Sequence, residues 1–186
     1  MFVTDLVYGY MGTILRINLT TRTVKKKQLD NAVSRKYLGG RGLGAKILFD
    51  EVGPRTEAFS PDNELVLCTG PVTGCLAPGA NRFVIITKSP QTGFFLDTYA
   101  GGNFGPELKF AGYDALIVSG RGEAPVYVYI NDNDVSIRDA SHLWGKDCWE
   151  TEDLLKKELG DRRVRVAVIG PAGEKLVKYA IVSTDY

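Results

Sequence analysis

Histidine is nearly missing from this chain and cysteine is sparse: one His and three Cys stand among 186 residues. Cys68, Cys75 and Cys148 form no C-x-x-C pair, so they and His142 cannot assemble a zinc or iron–sulfur site. An odd, scattered set of thiols also argues against a disulfide framework and fits a reducing, cytoplasmic setting. Long apolar runs are absent, none approaching the ~20 residues that span a bilayer. The N-terminal stretch carries Asp5 and no basic start, which makes a poor secretory signal. An excess of one charge is lacking too. The formal net charge of +1 leaves no field to draw nucleic acid or an acidic membrane.

Catalytic groups are equally scarce. Glu107, Asp97 and Asp114 give no convincing acid–base pair. Ser89 and Ser119 lack a triad context. His142, in Asp139-Ala140-Ser141-His142-Leu143, reads as a turn or core residue rather than a catalyst.

What remains is an ordinary globular composition, 44% hydrophobic and 24% charged, enough for one domain over residues 1–186 with a sizeable core. Thr13-Ile14-Leu15-Arg16-Ile17-Asn18-Leu19 alternates with period two, as a half-buried strand does. Thr23-Val24-Lys25-Lys26-Lys27 returns as an exposed hairpin arm, its lysines guarding a sheet edge. Asp30 caps a helix from Asn31 through Leu38. Gly39-Gly40-Arg41-Gly42-Leu43-Gly44 interrupts that helix, and a second helical stretch runs over residues 45–52. G-x-G-x-x-G is not completed there and no strand leads in, so the dinucleotide fingerprint fails. Further strands are expected over residues 64–68, 82–87, 114–120, 126–130, 135–138, 164–169 and 178–182. Thr151 opens a helix that Gly160 ends.

These elements recur in order. Hairpin 13–27 answers hairpin 125–139, and helical segment 31–52 answers 149–160. Leu65-Val66-Leu67-Cys68-Thr69-Gly70-Pro71 answers Arg165-Val166-Ala167-Val168-Ile169-Gly170-Pro171, and residues 83–86 answer 179–182. Such a pseudo-two-fold repeat brings two Gly-Pro loops near one axis; Gly-Pro is also a common way to leave a strand.

Glycine punctuates Gly101-Gly102-Asn103-Phe104-Gly105 and continues to Gly112. Without a Cβ these residues let backbone N–H groups approach a ligand closely. Arg82 follows a second Gly/Pro loop and opens a β-branched strand, where a rigidly based guanidinium can fork onto a phosphate or carboxylate.

Gly12-Thr13-Ile14-Leu15-Arg16-Ile17-Asn18-Leu19-Thr20, Leu38-Gly39-Gly40-Arg41-Gly42-Leu43, Thr69-Gly70-Pro71-Val72-Thr73-Gly74, Thr87-Lys88-Ser89-Pro90-Gln91-Thr92-Gly93, residues 105–112, and Ile169-Gly170-Pro171-Ala172-Gly173-Glu174 together carry a resemblance. The chain resembles the amino-terminal domain of the tungsten-containing aldehyde ferredoxin oxidoreductases over nearly its whole length. The resemblance implies an α+β fold in which two related β-sheet units with short helices form a saddle-like cofactor platform. It implies a bis-pterin tungsten cofactor (tungstopterin), molybdenum being the alternative metal, and a magnesium ion bridging the pterin phosphates. Arg82, Tyr99, Ala100 and Gly101 fall at the family's cofactor-contacting positions, with the Tyr99 backbone carbonyl at the magnesium position. The family commonly has a small polar residue where Tyr99 stands.

The resemblance further implies oxidation of an aldehyde to a carboxylic acid, with ferredoxin as electron acceptor. A [4Fe-4S] cluster is expected only in downstream domains. The chain is expected to stop just before the family's next Arg- and Gly-rich segment. Alone it should be inactive and should expose an apolar patch through which a homodimer can form. The alternative is a non-catalytic pterin-binding module, or a scaffold completed by a separate cysteine-bearing subunit.

Overall fold

β-Branched runs supply the centre of the molecule. In this computed structural model, residues 8–185 are described; the reading of the N-terminal stretch as lacking a secretory signal concerns residues 1–7, outside them. Strands β1 (Thr13–Asn18), β2 (Thr23–Gln28), β3 (Glu64–Thr69), β4 (Phe83–Lys88), β5 (Phe95–Ala100) and β6 (Ala115–Ser119) form one sheet. Their order is β2-β1-β6-β3-β4-β5. Only β1 and β6 run parallel; every other neighbour is antiparallel.

Period-two alternation sorts the side chains of this sheet onto two faces. On one, Ile14, Val66, Cys68, Val84, Ile86, Ala115 and Ile117 pack against Leu43, Ile47 and Leu48 of helix α2 (Gly40–Glu51). α1 (Asn31–Tyr37) precedes α2, and the Asp30 carboxylate caps it by accepting from Ala32 N at 2.7 Å. The expected break between the two helices falls at Leu38 and Gly39, while the rest of the glycine run, from Gly40, forms the start of α2. Gly44 explains why: a Cβ there would lie 2.4 Å from Ile86 Cδ1, so the missing side chain lets the helix sit on the sheet.

On the other face, Leu15, Ile17, Leu67, Phe83, Ile85 and Leu116 pack with Tyr113 and with Leu108 of α3 (Phe104–Phe110). The hairpin β7 (Val126–Asn131) and β8 (Asp134–Asp139) closes over this face through Val128, Ile130, Val135 and Ile137. Tyr113 Oη donates to Asp132 O at 2.8 Å, and Lys26 Nζ donates to Asn133 Oδ1 at 2.7 Å. The lysine run read as an edge guard therefore also grips the second hairpin.

Beyond it lie a 3₁₀ turn (Ser141–Leu143), α4 (Cys148–Leu159), β9 (Ala167–Ile169), α5 (Pro171–Glu174) and β10 (Val182–Thr184). α4 is capped by Asp147 rather than Thr151, and Gly160 ends it in the left-handed conformation as its position suggested. β9 begins later than the sequence indicates, and β10 begins at Val182, where the expected strand ended. The α+β expectation holds. The order hairpin, helix, strand, Gly-Pro, strand also recurs, although its second copy forms two separate two-stranded sheets, β7-β8 and β9-β10. No helix among the described residues is long and apolar enough to cross a membrane.

Candidate functional site

Register brings the sequence-selected residues to one corner of the large sheet. Phe83 pairs with Ala100 and Val84 with Tyr99, so Arg82 and Gly101 adjoin at the end of the β4–β5 pair. A Cβ on Gly101 would lie 3.7 Å from Asn81 Nδ2, which places the two segments in direct apposition. Arg82 is exposed. Among the described residues its guanidinium has no hydrogen-bond or ion-pair partner. β5 is the sheet's edge, so its outer backbone groups are left unpaired and open to a ligand.

Two expectations about this corner need correction. The sequence pattern gives no strand over residues 95–100, yet Asp97, Tyr99 and Ala100 all belong to β5. The free edge of β4 recruits a segment whose own pattern is only weakly strand-like. The glycine-rich stretch beyond it is largely helix, α3. Pro106 is tolerated there because it sits in the first turn, where no intrahelical N–H partner is required.

The Tyr99 ring does not fold inward. Its hydroxyl donates to Asp97 Oδ2 at 3.0 Å, and Arg41 Nε lies 3.0 Å from the same oxygen. Arg41, in the first turn of α2, thus reaches this corner through Asp97. Tyr99 is 50% exposed.

Residues that sequence reasoning missed hold the corner in shape. Thr73 Oγ1 accepts from Gly70 N at 2.9 Å and donates to Arg82 O at 3.0 Å, tying the Gly-Pro loop to the base of Arg82. Lys109, 6% exposed, spends all three ammonium donors on backbone carbonyls. They go to Gly9 at 2.6 Å, to Gly70, and to Pro71 at 3.2 Å. Burial pushes the Lys109 pKa down, opposed by the nearby Asp114 charge. Asp114 accepts from Met11 N at 3.1 Å and Gly12 N at 2.7 Å. Its pKa is raised by burial despite those N–H groups. The only signal for either role is a charged residue bracketed by apolar ones, as in Leu108-Lys109-Phe110.

An open cleft of about 330 Å³ adjoins the corner, lined by Cys75, Ala80, Asn81, Pro106 and Phe110 among others. Cys75 is exposed, whereas Cys68 is fully buried, its thiol pushed up to about 12 by burial and then by Asp114. His142 stands elsewhere, with Nε2 2.9 Å from Glu158 Oε2 on the surface. Among the described residues, no group of three or more His, Cys, Asp or Glu could hold a metal ion.

Comparison with known proteins gives the corner a context. The family model for the aldehyde ferredoxin oxidoreductase N-terminal domain matches residues 14–186. The chain is 51% identical over 179 residues to the tungsten-containing aldehyde ferredoxin oxidoreductase of Pyrococcus horikoshii, covering 96% of this chain and 30% of that protein. It is 35% identical over 193 residues to the aliphatic sulfonate oxidoreductase WOR-like subunit of Pyrococcus furiosus, covering 96% and 31%. A chain in the BamBC active-site complex of benzoyl coenzyme A reductase with 1,5-dienoyl-CoA superposes with a TM-score of 0.94 at 45% identity, covering 95% of this chain and 27% of that one. The chain thus spans about 30% of the length of the curated relatives it matches most fully. It belongs to the aldehyde ferredoxin oxidoreductase N-terminal domain family.

Proposed function

We propose that residues 1–186 form a single domain, the cofactor platform of a tungsten bis-pterin oxidoreductase that oxidises aldehydes to carboxylic acids and passes electrons to ferredoxin. The carrying observation is the corner itself: Arg82, whose guanidinium has no partner among the described residues, adjoins through its backbone Gly101 at the end of the edge strand β5. A phosphate-bearing pterin suits this donor set. The guanidinium supplies a forked, permanently charged donor, Gly101 allows close approach, and backbone carbonyls along Tyr99 and Ala100 suit a hard cation such as magnesium. When bound, the metal–pterin group would supply the two-electron chemistry.

The chain's own residues bind and orient. Thr73 and Lys109 hold the Gly-Pro loop against the base of Arg82, so the guanidinium springs from a fixed backbone. Asp97 and Arg41 keep the Tyr99 ring to the side. The two Gly-Pro turns of the recurring element order support a saddle under a cofactor with two similar halves. No residue of this chain is assigned an acid, base or nucleophile role, and the [4Fe-4S] cluster and substrate-side groups are assigned to segments matching the remainder of the relatives.

Chain purified from cells supplied with tungstate should carry sub-stoichiometric tungsten and pterin, measured by mass spectrometry and by fluorescence after oxidation. It should not reduce a viologen dye with added aldehyde, and turnover by the 186-residue chain would overturn the division of labour. A second reading is favoured by the 45% identity to a chain of BamBC: the platform would serve a reductase completed by a separate subunit. Co-purification of such a subunit, with activity on an aryl-CoA thioester rather than an aldehyde, would select it.

A further inference from the structure

The most heavily committed part of the glycine-rich stretch is occupied from within the chain. Asp185 follows β10 and sends its carboxylate to the start of α3. Asp185 Oδ2 accepts from Asn103 N and, at 3.1 Å, from Phe104 N. Its other oxygen lies 3.6 Å from Arg165 Nη1, and the Asp185 side chain is 12% exposed. Gly102 makes room for this contact. It sits at φ +79°, and a Cβ there would lie 2.2 Å from Asp185 Oδ2. Two backbone N–H groups of the stretch that the sequence offers to a ligand, those of Asn103 and Phe104, are therefore already taken.

We infer that Asp185 is a positioning residue: a clasp that fastens the second half of the molecule to the Gly101–Gly102 bend and so fixes the edge of the proposed cofactor corner. Three features carry the inference. The carboxylate takes two adjacent backbone donors, which sets the direction of both peptide planes immediately after Gly101. The contact joins segments 82 and 81 residues apart, so it reports on tertiary placement rather than local turn chemistry. Arg165 Nη1 lies 3.6 Å from the other carboxylate oxygen, and β10, which leads directly into Asp185, packs Val182 on the first sheet's core. The clasp needs only the contacts described; its consequence for the cofactor rests on the proposed function.

Amide hydrogen exchange separates the two. In the 186-residue chain, Asp185→Ala should speed exchange at Asn103 and Phe104 about tenfold or more, as expected for loss of charge-assisted hydrogen bonds. Asp185→Asn, which keeps one acceptor oxygen of the same shape, should restore much of the protection. Wild-type exchange in Asp185→Ala would overturn the clasp. In protein isolated with its cofactor, Asp185→Ala should retain several-fold less pterin than wild type, with Asp185→Asn intermediate. Equal pterin retention together with faster exchange would overturn the positioning role. Wild-type protein that takes up no pterin would refute the proposed function, and the exchange result would still decide the clasp.

Discussion

The two halves of the molecule follow one order of elements and reach different degrees of closure. In the first, β6 returns from α3 and threads between β1 and β3, pairing with both. Hairpin and strand pair thereby become one continuous six-stranded sheet, with fully buried Leu15, Val66, Cys68 and Ala115 along its middle. In the second, β7-β8 and β9-β10 remain separate ribbons among the described residues. Its own cluster is small, built on Ala140, Leu143, Leu155 and Val166. A repeated order of elements therefore does not by itself build a repeated sheet. The strand that joins the parts does, and the second half instead borrows stability by packing β7-β8 onto the first sheet.

The largest test of this contrast lies in the cores. Ile117→Ala, in the threading strand, should cost about 4 kcal/mol, near the upper end for buried aliphatic truncation. Leu155→Ala in the second half should cost about 2 kcal/mol, because a small, open-sided cluster can relax around the gap. Urea unfolding of both variants checks this, and equal costs would break the comparison. Lys109→Met should come next, at about 2 kcal/mol, since it takes the ammonium away from the Gly9, Gly70 and Pro71 carbonyls, of which Gly70 O keeps a second donor in Thr73 N at 3.1 Å. Exchange should rise at Gly70 and Thr73 but stay unchanged in β9 and β10.

Proton linkage separates the halves by sign. Asp114 in the first half has its pKa raised by burial above the ordinary 3.8. The folded state thus binds its proton more readily, and this group's contribution is full below 3.8 and lost as pH rises through the folded value. In the second half, hydrogen bonds from Ser141 and Arg163 hold Asp139 and Asp161 below 3.8. Their contributions are present above 3.8 and disappear as pH falls through the lowered values. Urea midpoints measured from 3.8 upward should fall more steeply in wild type than in Asp114→Asn. Parallel curves would refute the burial of this carboxylate. The smallest effect compares caps: Asp30→Ala and Asp147→Ala each remove a helix N-cap, at about 1 kcal/mol apiece. Similar values would show that local capping is the same in both halves and that the difference lies in tertiary pairing.

Much of the first half was readable because its strands are runs of β-branched residues whose pairing needs no outside help. β5 was not, because Phe95, Asp97 and Tyr99 on one face are partly exposed and the strand exists by virtue of the β4 edge. α3 was hidden by Gly105 and Pro106, which read as loop residues until Leu108 is seen to anchor the turn in the core. At the candidate site, Arg82 and Gly101 could be picked out from local chemistry. Thr73, Lys109 and Asp185 could not, since each acts on backbone distant from its own segment or on a loop whose shape no local pattern specifies.

The central claim is that the Arg82 corner holds the phosphate-bearing part of a pterin cofactor. Its most direct test is the molar pterin content of protein produced with tungstate, wild type against Arg82→Gln. Loss of a desolvated, charge-assisted contact predicts about a tenfold drop in pterin retained, with the thermal unfolding midpoint unchanged because the Arg82 guanidinium has no hydrogen-bond or ion-pair partner among the described residues. Equal pterin content in the two proteins would contradict the claim.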